Sequence, residues 1–222
     1  MTRRTDGARR DPERSLYLVR NEVDPELAFH YEALARHLPD ATVVDYPDGE
    51  RFEPADADAV VLSGSTAGVY ESGGGWIEAE AALVRDLVAA SVPTLGICFG
   101  HQIANAALGG TVEHAGMTAG LVEASLADVP LFDGVEPVVP VLHGDVVVTP
   151  GESMAVVASA SHARVLATRH EHAPLWTVQF HPELTSALRA RLVGEFEWRA
   201  GPHAFADATT ERVLANFQAL TE

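Results

Sequence analysis

The sequence predicts an α/β protein with a mostly parallel central sheet and helices on both faces. Three observations predict it. Short apolar runs alternate with stretches of helical periodicity through the first half of the chain, the pattern of βαβ units. One run, residues 93–97, is short and apolar, as expected for a strand in the middle of a parallel sheet. That run leads into Gly96-Ile97-Cys98-Phe99-Gly100 and then a helix-like stretch. A strand, a sharp turn and a helix with a nucleophile at the apex have this form.

The elements follow in order. Residues 1–14 are charged and aperiodic, so a tail is expected there, with one domain over 15–222. Residues 15–19 read as a strand. Asp24 is placed to cap a helix with Pro25 at its first position, and Leu27, Tyr31, Leu34 and Leu38 form its stripe. Strands are expected at 41–46 and 58–63, the second running into Ser63-Gly64-Ser65-Thr66. Gly73-Gly74-Gly75 reads as a connector, since no Gly-Lys-Ser/Thr follows to make a phosphate loop. A helix over 76–90 carries Trp76, Ile77, Leu83, Val84, Leu87 and Val88 on one face. A further helix over 100–108 stops at Gly109-Gly110. The second half reads as strands at 112–113, 121–125, 138–142, 155–159, 164–169 and 175–179. Helices return at 185–195 and 208–220, around an irregular insertion at 198–205.

Composition narrows the function. At 47% hydrophobic residues the chain can bury a sizeable core, and its formal charge is −17. All 15 of its bases are arginine, against 32 acids. Such a surface repels itself in dilute buffer and is better screened by salt, so a salt-adapted protein is expected. Phosphate-backbone binding wants a basic face, which is not visible, so nucleic acid is not expected as a partner. One cysteine makes no intramolecular disulfide. Arg3-Arg4 lacks the apolar stretch of an export signal. No run approaches the roughly 18 apolar residues of a membrane span. A cytoplasmic location is the expectation.

Lone cysteines are most often buried structural residues. Cys98 differs by its setting. An elbow places it at a helix N-terminus, where backbone N–H groups favour a thiolate, and Gly96 and Gly100 permit close approach of neighbouring chain. A cysteine nucleophile needs a base, and the base needs an orienter. Gln179-Phe180-His181-Pro182-Glu183 offers both: on an extended segment His181 and Glu183 point the same way. A surface histidine before a helix start would look similar. His170-Glu171-His172 lacks a third ligand nearby, so no metal site is expected. His101 and His114 read as structural or supporting residues.

Taken together, Gly96-Ile97-Cys98-Phe99-Gly100-His101-Gln102 followed by Gln179-Phe180-His181-Pro182-Glu183 resembles the class I glutamine amidotransferases. The resemblance runs from about Val60 to Glu183. It implies a flavodoxin-like three-layer fold and a Cys-His-Glu triad, with Cys98 as nucleophile, His181 as acid/base and Glu183 as its orienter. It implies an oxyanion hole from the backbone N–H groups of Phe99 and Ser65. It further implies a glutamine pocket from Gly64, Gln102 and a closing loop, His143-Gly144-Asp145. No cofactor is implied. Two departures stand out. Ser65 and Thr66 occupy positions where the family usually reads Gly-Pro; a backbone donor survives any non-proline replacement, but a glycine turn with positive φ would not be copied freely. Leu142 precedes His143 where relatives often carry a polar residue.

The resemblance implies a glutaminase releasing ammonia through a cysteinyl thioester to a separate synthetase subunit. Val69-Tyr70 and His143-Gly144-Asp145 both occur in GMP synthetase glutaminase domains. Two alternatives stay open: a stand-alone γ-glutamyl peptidase or hydrolase acting on a γ-glutamyl amide, and a non-catalytic regulatory or binding protein with this fold.

Overall fold

The computed structural model describes residues 15–71 and 75–221. The expected tail at 1–14, and Gly73 and Gly74 of the connector, lie outside them. Nine strands form one sheet: β1 (Leu16–Arg20), β2 (Thr42–Asp45), β3 (Ala59–Leu62), β4 (Thr94–Ile97), β5 (Thr111–Leu126), β6 (Val138–Thr149), β7 (Met154–Ala160), β8 (Ala163–His170) and β9 (Leu175–Val178). Their spatial order is β2-β1-β3-β4-β9-β8-β6-β5-β7, and β7 also pairs with β8. The α-helices are α1 (Phe29–His37), α2 (Trp76–Ala90), α3 (Phe99–Ala107), α4 (Arg189–Glu195) and α5 (Arg212–Leu220).

The sheet is parallel from β2 through β9. Every pairing among β5, β6, β7, β8 and β9 is antiparallel. The expectation of a mostly parallel sheet therefore holds for one half only. A parallel pair needs a crossover of about a dozen residues, whereas short connections join β7 to β8 and β8 to β9, so each strand folds back on the one before it.

The parallel half buries both faces. Leu18, Val61, Leu95, Ile97, Trp176 and Val178 point to one side, against Leu34 of α1, Leu38 just past its end, and Val213, Leu214 and Phe217 of α5. Val19, Val60 and Leu62 point to the other, against Ile77, Leu83, Val84 and Leu87 of α2 and Ile103 of α3. The alternation is the two-residue strand period, and helices cover both faces. Each such buried aliphatic side chain contributes about 1.5–3 kcal/mol.

Most element bounds match the sequence reading to within a residue or two. Asp24 does cap through its side chain, but the turn it caps is 3-10 (Pro25–Leu27), and α1 begins at Phe29. In α1 the fully buried residues are Phe29, His30, Ala33 and Leu34, whereas Tyr31 is half-buried. The strands expected at 112–113 and 121–125 are one strand, β5, carried across a register shift between His114 and Thr118. Gly116 there has φ +87°, so the local break in pattern is a bulge and not an end. The expected helix over 208–220 starts only at Arg212. The 198–205 insertion is irregular apart from a bridge from Arg199 to Gly120 and a 3-10 turn that begins at Phe205. Among the described residues, no helix is long and apolar enough to cross a membrane.

Candidate active site

The C-terminal ends of the parallel strands converge on one cavity of about 410 Å³, where a sheet of this class usually binds ligands. Cys98 lines it, between the end of β4 and the start of α3. Its backbone has φ 53° and ψ −102°, the strained apex of an elbow. The strain is held in place from several sides. Cys98 N–H donates to the Val178 carbonyl at 2.9 Å, and Gly100 N–H donates to that of Ser63 at 3.2 Å. A Cβ on Gly96 would lie 2.4 Å from the Gly100 carbonyl oxygen, and one on Gly100 2.4 Å from that of Leu62. Both glycines are required by backbone contact, as the sequence reading expected.

His181 follows β9, and its Nδ1 lies 2.6 Å from Glu183 Oε1. Both are buried. Burial alone pushes the His181 pKa down. The Glu183 carboxylate and the Cys98 sulfur outweigh it and hold the imidazole well above its usual 6.5. Nδ1–H thus donates to Glu183, and Nε2 points to the Leu142 carbonyl at 3.3 Å. Cys98 Sγ lies 3.8 Å from that same carbonyl oxygen. Thiol and imidazole therefore meet at Leu142, whose contribution here is its backbone oxygen.

A ring nitrogen of His30, one of His181 and a Glu183 oxygen lie within 4.8 Å of one another. These residue types can ligate zinc. Two ligands on tetrahedral zinc, with bonds of about 2.0–2.1 Å, stand roughly 3.3 Å apart. The 2.6 Å between His181 and Glu183 is instead hydrogen-bond contact. At the other histidine pair, His170 Nδ1 accepts the backbone N–H groups of His172 and Ala173, a turn contact.

Phe99 is the first residue of α3, so its N–H has no acceptor within the helix. Ser65 and Thr66 line the cavity from the turn after β3. Neither Ser65 nor Gly64 has positive φ, so serine adopts this turn without the strain that replacing a left-handed glycine would bring. At Gly64 the space is tight for another reason: a Cβ there would sit 3.2 Å from His181 Cε1, so the imidazole would have to give by a few tenths of an ångström.

Gln102 is buried, and its Nε2 donates to the Asp145 carbonyl (3.1 Å) and to Gln179 Oε1 (3.3 Å). Gln179 Nε2 in turn donates to Cys98 Sγ at 3.6 Å. This chain places Gln179 on the nucleophile, a contact the sequence reading missed although Gln179 begins the histidine motif. His143, Gly144 and Asp145 were expected in a loop. They lie within β6, with His143 opposite Thr118 and Asp145 opposite His114. The valines at 146–148 extend the strand past the polar triplet. His143 Nδ1–H donates to the Asp145 carbonyl, so its Nε2 accepts from His162 at 3.2 Å. Burial, with His162 and His181 nearby, brings the His143 pKa down to about 4. Asp145 Oδ1 accepts from His114 (2.8 Å) and Tyr70 (3.1 Å) at the cavity mouth. His101 lies beneath the site, against Thr177 Oγ1 at 2.7 Å.

Sequence reasoning also missed Glu22 and His30. Glu22 lies just after β1 and His30 in the first turn of α1, and both line the cavity, with Nε2 and Oε2 2.8 Å apart. The one available signal was a histidine on the buried side of an amphipathic helix.

The family model of the class-I glutamine amidotransferases matches residues 31–196. The chain is 32% identical over 161 residues to the GMP synthase (glutamine-hydrolyzing) of Streptomyces coelicolor, covering 70% of this chain and 30% of that protein. It is 36% identical over 140 residues to the GMP synthase of Pyrobaculum aerophilum, covering 62% and 26%. The chain thus spans less than a third of the curated relatives it matches. Among solved structures, a glutamine amidotransferase from Thermotoga maritima superposes with TM-score 0.71 at 19% identity, covering 95% of this chain and 99% of that one. One from Methylobacillus flagellatus gives 0.73 at 18%, covering 94% and 95%. These two share the fold.

Proposed function

Because the chain belongs to the class-I glutamine amidotransferase family, we propose that it releases ammonia from the carboxamide of glutamine through a thioester on Cys98. The observation that carries this reading is the meeting of Cys98 Sγ and His181 Nε2 at the Leu142 carbonyl, with Glu183 2.6 Å behind the imidazole. With its proton already held on His181 Nε2, Cys98 Sγ attacks the side-chain carbonyl carbon as the thiolate. The carbonyl electrons move to oxygen, where the N–H groups of Phe99 and Ser65 receive the charge. The C–N bond breaks as His181 returns the proton to the departing ammonia, leaving a γ-glutamyl thioester. Neutral His181 then takes a proton from water, hydroxide attacks the thioester, and glutamate leaves. Each oxyanion donor is worth about 10²–10³ in rate. Gly64, Gln102, His143, Gly144 and Asp145 shape the glutamine pocket, Gln102 by holding the β6 segment and Gln179 in place. The ammonia passes to a separate synthetase subunit.

A second reading is favoured by the size and lining of the cavity. Its volume of about 410 Å³ falls in the range of roughly 300–1,000 Å³ that holds drug-sized ligands. Leu27, Phe29, Met117 and Phe196 extend it beyond the polar residues. A γ-glutamyl amide or peptide with a larger leaving group fits this shape.

Ammonia release from glutamine and amine release from γ-glutamyl compounds, in dilute buffer and in molar salt, test both readings. The wild type should act, and Cys98→Ala should not. Equal rates for the two proteins would sink the nucleophile, and turnover of γ-glutamyl peptides alone would select the hydrolase. Inertness toward both substrate classes, with no selective alkylation of Cys98, would leave a binding protein.

A further inference from the structure

We propose that Glu22 is a clamp, and His30 its wedge, that together position the oxyanion turn against the catalytic imidazole. This rests on the amide-hydrolase reading above and adds two residues to it. Glu22 is 1% exposed and uses both oxygens. Oε1 accepts the Thr66 hydroxyl at 2.6 Å, the Thr66 N–H at 3.4 Å and the Asp24 N–H at 2.9 Å. Oε2 accepts His30 Nε2–H at 2.8 Å. Burial pushes the carboxyl pKa up, but the hydrogen bonds from His30, Thr66 and Asp24 outweigh it and hold it below its usual value. The charged acceptor that makes such bonds strong is therefore kept at neutral pH.

His30 carries the clamp to the catalytic residues. Its ring stands edge-on to His181, with centroids 6.0 Å apart and planes at 73°. Gly64 fits between them: a Cβ there would lie 3.2 Å from His181 Cε1 and 3.4 Å from His30 Cε1. Thr66, Glu22, His30, Gly64 and His181 thus form a packed circuit that joins the oxyanion turn to the base. The circuit explains why this chain can carry threonine where proline would otherwise stiffen the turn. Threonine keeps its N–H and gains a hydroxyl, and Glu22 takes both. A turn held only by its own backbone would shift the Ser65 N–H. Oxyanion donors act only within a few tenths of an ångström of 2.7–3.1 Å.

The test measures turnover, hydrogen exchange at residues 63–68 and alkylation of Cys98 by iodoacetamide. Glu22→Ala and Thr66→Val should each lower kcat about 10–100-fold, with KM within about threefold, because the loss falls on the transition state. Exchange in the turn should rise while alkylation stays at the wild-type rate. Glu22→Gln keeps an oxygen for Thr66 and should recover most of kcat. His30→Leu keeps the packing and removes the donor to Glu22, and should cost about tenfold. The double variant Glu22→Ala/Thr66→Val should lose no more than the worse single one. Wild-type kcat and exchange in Thr66→Val, a mild substitution, would overturn the clamp, and so would losses that simply multiply. A wild type inert toward amides, with turn exchange rising in Thr66→Val, would sink the hydrolase reading and keep the clamp.

Discussion

His181 Nδ1 and Glu183 Oε1 face each other at 2.6 Å, sealed from solvent, at positions two apart on the segment after β9. The folded chain keeps the His181 proton over a pH window in which the unfolded chain has lost it. Stability from this pair is complete below the ordinary histidine value of 6.5 and is lost as pH rises through the higher folded value. Glu183→Gln should therefore cost more stability at pH 6 than at pH 9. Breaking a buried pair typically costs about 3–5 kcal/mol. Urea titrations of both proteins at the two pH values check this, and an unchanged difference would refute it. Turnover of Glu183→Gln should fall by about 10²–10⁴.

The positive φ of Cys98 sets up a second prediction. Cys98→Gly and Cys98→Ala both remove the nucleophile, so ammonia release is lost in each. Glycine also relieves a backbone conformation that costs about 1–3 kcal/mol for other residues. The glycine variant should melt roughly 2–4 °C above the alanine variant for each kcal/mol relieved. Equal melting temperatures would mean that the strain relieved is no more than the roughly 0.5–1 kcal/mol that glycine's unfolded-state freedom costs.

Two glycine substitutions should move stability in opposite directions. Gly100→Ala drives a methyl group to 2.4 Å from the Leu62 carbonyl oxygen and pushes β3 away from α3. A loss above about 3 kcal/mol, or failure to fold, is expected. Gly194 sits inside α4, and a methyl group added there would meet nothing within 4 Å. Gly194→Ala should stabilise by about 0.5–1 kcal/mol. Denaturant midpoints decide both.

Glu80 offers a pH test away from the catalytic groups. It is fully buried in α2, and burial raises its pKa to about 8 against the Asn21 hydrogen bond and the Arg51 charge. The folded state keeps this proton up to about pH 8, whereas an unfolded carboxyl releases it near 4.5. Stability from the neutral form is complete below that lower value and declines until pH passes the upper one. Glu80→Gln has nothing to titrate. Its stability relative to wild type should improve by about 4 kcal/mol between pH 5 and pH 8. A parallel pH profile for the two proteins would place the Glu80 titration near its ordinary value.

Much of the fold was legible because its signals are local. The periodicity of Trp76, Ile77, Leu83, Val84 and Leu87 located α2 as the structure has it. Gly96 and Gly100 marked the elbow because no other residue fits the backbone contacts they make. The antiparallel half was less legible. At Gly116 a bulge and a strand end look alike in sequence, and His143-Gly144-Asp145 looks like a loop until its partners Thr118 and His114 are known.

The sequence by itself determined the strand and helix alternation, the elbow, and the pairing of a cysteine with a downstream histidine and glutamate. Each of these is a short-range pattern imposed by backbone sterics or by spacing on an extended segment. Only the tertiary structure decided what surrounds them. It brought Gln179 to the sulfur, and it made the Leu142 carbonyl the meeting point of thiol and imidazole. It also delivered Glu22, just after β1, to Thr66 after β3. The physical reason is topological. Parallel strands separated in sequence end side by side, so residues with no local relationship share one buried cavity.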